Sequence, residues 1–228
     1  MITTANSAGR SGDDNVDSVE IAGNRNLIDA ARAAGVKRFV FISALGAQLD
    51  SPVPFLHGKA RAEEYLRESG MNYTILQPNI FLEIWAGMLV AAPLIAGRPV
   101  TFIGDGDRKH SMISVADVAA FAVAVIDHPD ARNRTIAIGG PEALSWRDVA
   151  DRFAAVTGRP VEVRTVPIGR SLPGQSEVVS GLATSLATYD SPIPMEETAR
   201  TFGVTLTPIE TVIREMMPPV EVSPTPPI

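Results

Sequence analysis

Between Gly35 and Ser43 the chain changes its hydrophobic period, and that change restricts the fold more than any other feature of the sequence. Upstream, Val16, Val19, Ala22, Leu27, Ala30 and Ala31 recur at helical spacing, with Asp13 and Asp14 where a helix start favours acids and Gly35 as the stop. Downstream, Arg38-Phe39-Val40-Phe41-Ile42-Ser43 is an unbroken β-branched and aromatic run. A strand wetted on one face would alternate apolar and polar residues, so a continuous run belongs to a strand covered on both faces, as in parallel sheets. The unit then repeats. Lys59 to Ser69 reads as a helix, with Glu63 and Glu64 near Lys59, Arg61 and Arg67, and Gly70 ends it before Tyr73-Thr74-Ile75-Leu76. Alternating helices and buried strands imply right-handed crossovers and an α/β, doubly wound parallel sheet of the Rossmann type.

Further along, Val100-Thr101-Phe102-Ile103 and Thr135-Ile136-Ala137-Ile138 read as strands, and Val115 to Ile126 and Ser145 to Val156 as helices, the latter capped by Ser145 with Asp148. From Val161 the alternation weakens into Val161 to Arg164, a helical stretch around Ser176 to Ala187, and short helices near Glu196 to Phe202 and Pro208 to Met217. The expected organisation is one domain over 1–217, with a Rossmann part to about residue 140 and a small substrate lobe over about 141–217. Residues 218–228, with five of the 18 prolines, read as a disordered or polyproline-like tail.

Composition narrows the chemistry. No cysteine is present, which excludes disulfides, thiolate nucleophiles and cysteine-based zinc sites. The three histidines share no metal-ligand spacing, no metal site is expected, and surface or loop positions are expected for all three. A net charge of −6, with scattered Lys and Arg, argues against nucleic acid as a direct partner. The window from Ile80 to Ala96 is interrupted by Glu83, Gly87 and Pro93 and is shorter than the roughly 20 apolar residues a membrane span needs, so it reads as a buried helix. The first residues lack the basic and apolar segments of a secretory signal, and the cytoplasm is the expected location.

In a doubly wound sheet, ligands lie beyond the carboxyl ends of the strands. Three such ends carry small or polar residues: Thr3-Thr4-Ala5-Asn6-Ser7, Ser43-Ala44-Leu45-Gly46-Ala47 and Gln77-Pro78-Asn79-Ile80-Phe81. Each alone also reads as an ordinary polar strand-ending loop. In this order, and with Gly104-Asp105-Gly106 and the segment from Ser111 to Ala119 behind them, they resemble the NmrA-like branch of atypical short-chain dehydrogenases, over Met1 to about Met217. The resemblance implies an NAD(P)H-dependent oxidoreductase acting on a small carbonyl, enone or quinone-like compound. It implies cofactor contacts at Thr4, Ala5, Asn6, Ser7, Ser43, Lys59, Pro78, Asn79 and Phe81, with Lys59 binding the nicotinamide ribose and Ser43 at the position of the active-site serine. Where ordinary members place a tyrosine, four residues before the lysine, this chain has Phe55, which can donate no proton. That leaves Lys59 as the acid/base candidate and Ser43 as a candidate carbonyl polariser, and keeps open a non-catalytic, nucleotide-sensing protein. The bland readings are a solvated Lys59 paired with Glu63 and a Ser43 bonded to backbone.

The glycine-rich turn G-x-G-x-x-G that receives a pyrophosphate is not found; Gly104-Asp105-Gly106, Gly139-Gly140 and Gly9-Arg10-Ser11-Gly12 all depart from it. The resemblance places Met1 to Thr4 at the family's fourth strand. It therefore carries the expectation of a truncated N-terminus, with roughly 60 to 80 residues absent, a sheet edge open to self-association, and an inactive or partner-dependent fragment that binds NADH or NADPH no tighter than about 1 mM.

Overall fold

The computed structural model describes residues 1–7 and 12–217. The expected tail and most of the Gly9 to Gly12 loop therefore lie outside the described residues. Strands β1 (Ile2–Thr3), β2 (Phe39–Ile42), β3 (Tyr73–Pro78) and β5 (Arg134–Ile138) form one parallel sheet in the order β1-β2-β3-β5. Among the described residues no strand lies on the other side of β1.

Strand β2 shows why its run of apolar residues is unbroken. Phe39 and Phe41 pack with Ile28 and Ala31 of α1 (Asn24–Ala33) and with Leu66 of α2 (Pro54–Glu68). Val40 and Ile42 face the other way, against Val118, Phe121 and Ala122 of α5 (Val115–Ala124). All four residues are buried, so both faces of the sheet are covered and the winding is double.

The expected first helix exists but is not uniform. Residues Val16–Gly23 are wound as a π-helix, started by an Asn15–Ser18 capping box, before α1 continues. The Asn24 amide Nδ2 donates to the carbonyls of Val19 and Glu20, taking up acceptors at this wide turn. The apolar window likewise becomes three consecutive pieces, α3 (Leu82–Ala86), a π-turn at Gly87–Ala91 and α4 (Ala92–Ile95). No helix among the described residues is long and apolar enough to cross a membrane.

Strand β4 (Val100–Ile103) leaves the main sheet and pairs in parallel with β6 (Val163–Val166). A division near residue 140 is therefore crossed, because the lobe takes a strand from well before it. The lobe core joins Phe102 of β4 to Trp146, Val149 and Phe153 of α6 (Trp146–Thr157) and to Val212 and Ile213 of α9 (Ile209–Met216). The capping box expected at Ser145 and Asp148 is present. The Trp85 ring lies 6.4 Å from that of Trp146, tilted by 39°, which makes it part of this packing. Between the lobe's last strand and α9 run α7 (Glu177–Leu186) and α8 (Glu196–Phe202).

His110 corrects the expectation of a surface or loop histidine. It is fully buried, with Nδ1 2.7 Å from Ser191 Oγ and Nε2 3.1 Å from the Leu186 carbonyl. The neutral Nε2–H tautomer satisfies both contacts. Ser191 in turn accepts from Asn79 Nδ2, so the imidazole ties the end of β3 to the lobe.

Two outcomes are expected. A Cβ at Gly58 would lie 2.7 Å from Val16 Cγ1 and 2.8 Å from Glu20 Cβ, whereas one at Gly181 would meet nothing within 4 Å. Gly58→Ala should destabilise the chain by about 1–3 kcal/mol, and Gly181→Ala should stabilise it by up to about 1 kcal/mol through helix propensity; urea denaturation separates the two. The second concerns pH. Burial, partly offset by the Leu186 carbonyl and Asp190, lowers the His110 pKa below 6.5. Below 6.5 the unfolded chain then binds more protons than the folded one, so His110's contribution is intact above that pH and is lost as the pH falls through the lowered value. The fall in Tm between about pH 7.5 and about pH 5.5 should be smaller in His110→Gln than in the unmodified chain, and parallel curves would contradict this role.

Candidate functional site

Helix α2 starts at Pro54 and carries Lys59 on the face turned toward the sheet. Instead of reaching solvent, the side chain is 2% exposed, which overturns the reading of a solvated lysine. Its Nζ donates to the Ala5 carbonyl at 3.0 Å and to the Ile42 carbonyl at 3.4 Å, bridging the ends of β1 and β2. The ammonium also lies 5.1 Å from the Phe41 ring and 5.5 Å from the Phe55 ring. Phe55 is thus an aromatic wall where a phenol would stand in the resembling family. Burial lowers the Lys59 pKa from 10.5 to about 8, against the opposing pull of Glu20 and then Glu63.

The Glu63 carboxylate is occupied by other donors. Oε1 accepts from Ser43 Oγ at 2.5 Å and from Gln77 Nε2 at 2.8 Å, and Oε2 accepts from Arg67 at 2.6 Å. Ser43 is buried at the end of β2 and its single proton goes to a carboxylate rather than to backbone. Polarising a carbonyl would require that proton to leave Glu63. An open groove of about 490 Å³ runs over this cluster, lined among others by Gln48, Leu49, Ala60 and Arg67.

Of the residues singled out in the sequence, Ala5, Ser43 and Lys59 meet at one end of the sheet. Thr4 and Asn6 are linked by the Asn6 side chain bonding the Thr4 carbonyl at 2.9 Å, and the Ser7 amide donates to Glu20 Oε1 at 2.7 Å. Pro78 joins this region through its carbonyl, which accepts from the Leu45 amide at 2.9 Å. Asn79 turns the other way: its Nδ2 donates to the Ser191 carbonyl and hydroxyl, and its Oδ1 accepts from the Ile80 amide. Phe81 precedes α3 and bridges to Ile113.

Glu20 and Asn24 were not singled out, yet both are buried polar groups beside this junction; Glu63, expected only as a surface partner of Lys59, is buried there too, and His110 is buried where β3 meets the lobe. Glu20 could have been found, since it is a charge on the apolar stripe formed by Val16, Val19 and Leu27. Nothing local marks His110, whose partners lie 76 and 81 residues away.

The residues present suit the nicotinamide-ribose end of a dinucleotide. An ammonium has three donors, and the two carbonyls use two of those of Lys59, leaving one for a ligand oxygen. The pyrophosphate end has no counterpart among the described residues. Gly104 and Gly106 take positive φ in the turn after β4, and a Cβ at Gly140 would collide with the Met112 carbonyl, so both glycine pairs serve local packing.

Comparison with known proteins identifies the family. A family described as NAD(P)H-binding matches residues 2–129. The chain is similar to an NAD(P)H azoreductase from Xenophilus azovorans, 36% identical over 161 residues, covering 71% of this chain and 54% of that one. It is also similar to the photosystem II assembly factor Ycf39 of Guillardia theta, 29% identical, covering 67% of this chain and 48% of that one. The chain thus spans about half the length of the curated relatives it matches. Among solved structures, an NADPH-dependent quinone oxidoreductase from Escherichia coli in complex with NADPH superposes with a TM-score of 0.67 at 25% identity, over 85% of this chain and 70% of that one. The sheet, the strand-end lysine and the match over residues 2–129 agree: the chain belongs to the NAD(P)H-binding family and has its Rossmann-type fold.

Proposed function

We propose that the chain is the catalytic-side portion of an NAD(P)H-dependent reductase acting on a small carbonyl, enone or quinone-like compound. The observation that carries this reading is the buried Lys59 ammonium held between two strand ends, with one donor unused. NAD(P)H supplies a hydride when bound. Lys59 would hold the nicotinamide ribose and move the accompanying proton, with Thr4, Ala5, Asn6 and Ser7 along one side and Pro78 and Phe81 along the other. Ser43 acts through Glu63, whose carboxylate it helps to fix, and Asn79 acts by aligning the end of β3 with the lobe. The azoreductase and quinone oxidoreductase relatives support a reductase over other dinucleotide enzymes.

A second reading, a nucleotide-sensing protein without turnover, draws on Phe55, which removes the usual proton donor beside the lysine. NAD(P)H consumption measured against carbonyl, quinone and azo compounds separates the two. Open proposals also include a cytoplasmic location and self-association along β1; a dimer in sedimentation that dissociates on Ile2→Lys would support the latter.

Lys59→Met should lower kcat/KM by about 10²-fold or more and weaken NAD(P)H binding. Because the protonated amine is the acid, kcat/KM of the unmodified chain should fall as the pH rises through about 8. Near-normal kcat/KM in Lys59→Met, or a flat alkaline limb, would remove Lys59 from the chemistry.

A further inference from the structure

Glu20 is fully buried in the π-wound segment before α1, on the side that faces α2. Gly58 permits this approach, since any Cβ there would press on Glu20 Cβ. One carboxylate oxygen accepts from the Ser7 amide; the other, Oε2, has no hydrogen-bond partner. One turn later, Asn24 uses its amide Nδ2 on the carbonyls of Ala5, Val19 and Glu20 while its Oδ1 is left unpaired. Burying an unpaired charged oxygen is costly. The fold alone does not call for it, because a neutral amide would accept from Ser7 equally well.

The charge has an evident counterpart. Lys59 directly follows Gly58 in sequence and grips the Ala5 carbonyl, two residues from the Ser7 amide that Glu20 holds. The groups that bear on the ammonium are Glu20 from the π-wound segment, Glu63 from α2 itself, the carbonyls of Ala5 and Ile42, and the rings of Phe41 and Phe55. Glu63 is already matched by Arg67, Gln77 and Ser43, whereas Glu20 has an oxygen free.

We propose that Glu20 is a positioning residue for Lys59: its buried carboxylate keeps the ammonium charged and, through Ser7, holds the loop whose carbonyl that ammonium grips. This rests on the reading of Lys59 as the residue that holds cofactor and moves a proton. The carboxylate opposes the desolvation that already brings Lys59 down to about 8, so removing it moves the amine toward neutrality near physiological pH.

Lys37, Lys59 and Lys109 are the only lysines, so the side-chain 13Cε and 15Nζ resonances of the full chain can be assigned with Lys59→Met. In Glu20→Gln, which keeps an acceptor for Ser7, the Lys59 titration should fall by on the order of one pH unit, and the alkaline limb of kcat/KM should move down with it. An unmoved Lys59 titration in Glu20→Gln overturns the proposal; should that variant not fold, an unmoved Lys59 titration in Glu20→Met does so. If the Lys59 titration moves but Lys59→Met keeps its turnover, the coupling stands and the functional reading of Lys59 falls. If Lys59→Met loses turnover and the Lys59 titration does not move in the Glu20 variant, the reverse holds.

Discussion

An ammonium buried between two strand ends sets the terms for everything around it. Taking a charged amine out of water costs several kcal/mol even after relaxation, and here the return comes from two backbone carbonyls, two aromatic faces and two neighbouring carboxylates. Those partners belong to the segment just after β1, to β2, to α2 and to the π-wound segment, so none of these can shift without exposing or orphaning the charge. The close approach of α2 follows, and with it the need for a residue without Cβ at position 58.

The same packing separates two kinds of polar group. Ser43, Gln77 and Arg67 all donate to Glu63 and satisfy its carboxylate. Lys59, Glu20 and Asn24, by contrast, each keep a donor or acceptor without a partner in the protein. Such incompletely satisfied buried groups are uncommon in folded proteins; among the described residues Glu20 and Asn24 lie beside the strand ends where a doubly wound sheet takes its ligand, while a further one, Arg38, lies at the opposite end of β2.

How far this was legible in the sequence depended on how local the cause was. The run from Phe39 to Ile42 forces a strand covered on both faces, and such a strand forces helices on both sides, so the main sheet was readable from four residues and their neighbours. The Ser145 cap depends only on Asp148 three residues away and was readable for the same reason. Strand β4 was recognisable as a strand but not as a member of the second sheet, because its partner β6 lies some sixty residues later and Val100 to Ile103 would suit either sheet. His110 stayed hidden for a related reason, since a histidine's burial is decided by Ser191 and Leu186, which no periodicity connects to it. The site was legible as strand ends and one lysine; the acids that govern that lysine were not, because Glu63 looked like its surface partner and Glu20 like one more helix residue.

The path of the chain between the two sheets has a consequence for how the molecule comes apart. From β3 the backbone leaves for β4 in the lobe, returns to β5 in the main sheet, and leaves again for β6. One peptide-bond cleavage therefore cannot release the lobe as a separable piece, and no permutation of the chain at a single loop makes either sheet contiguous. Loss of either core therefore loosens segments that carry the other, which couples the two cores in unfolding.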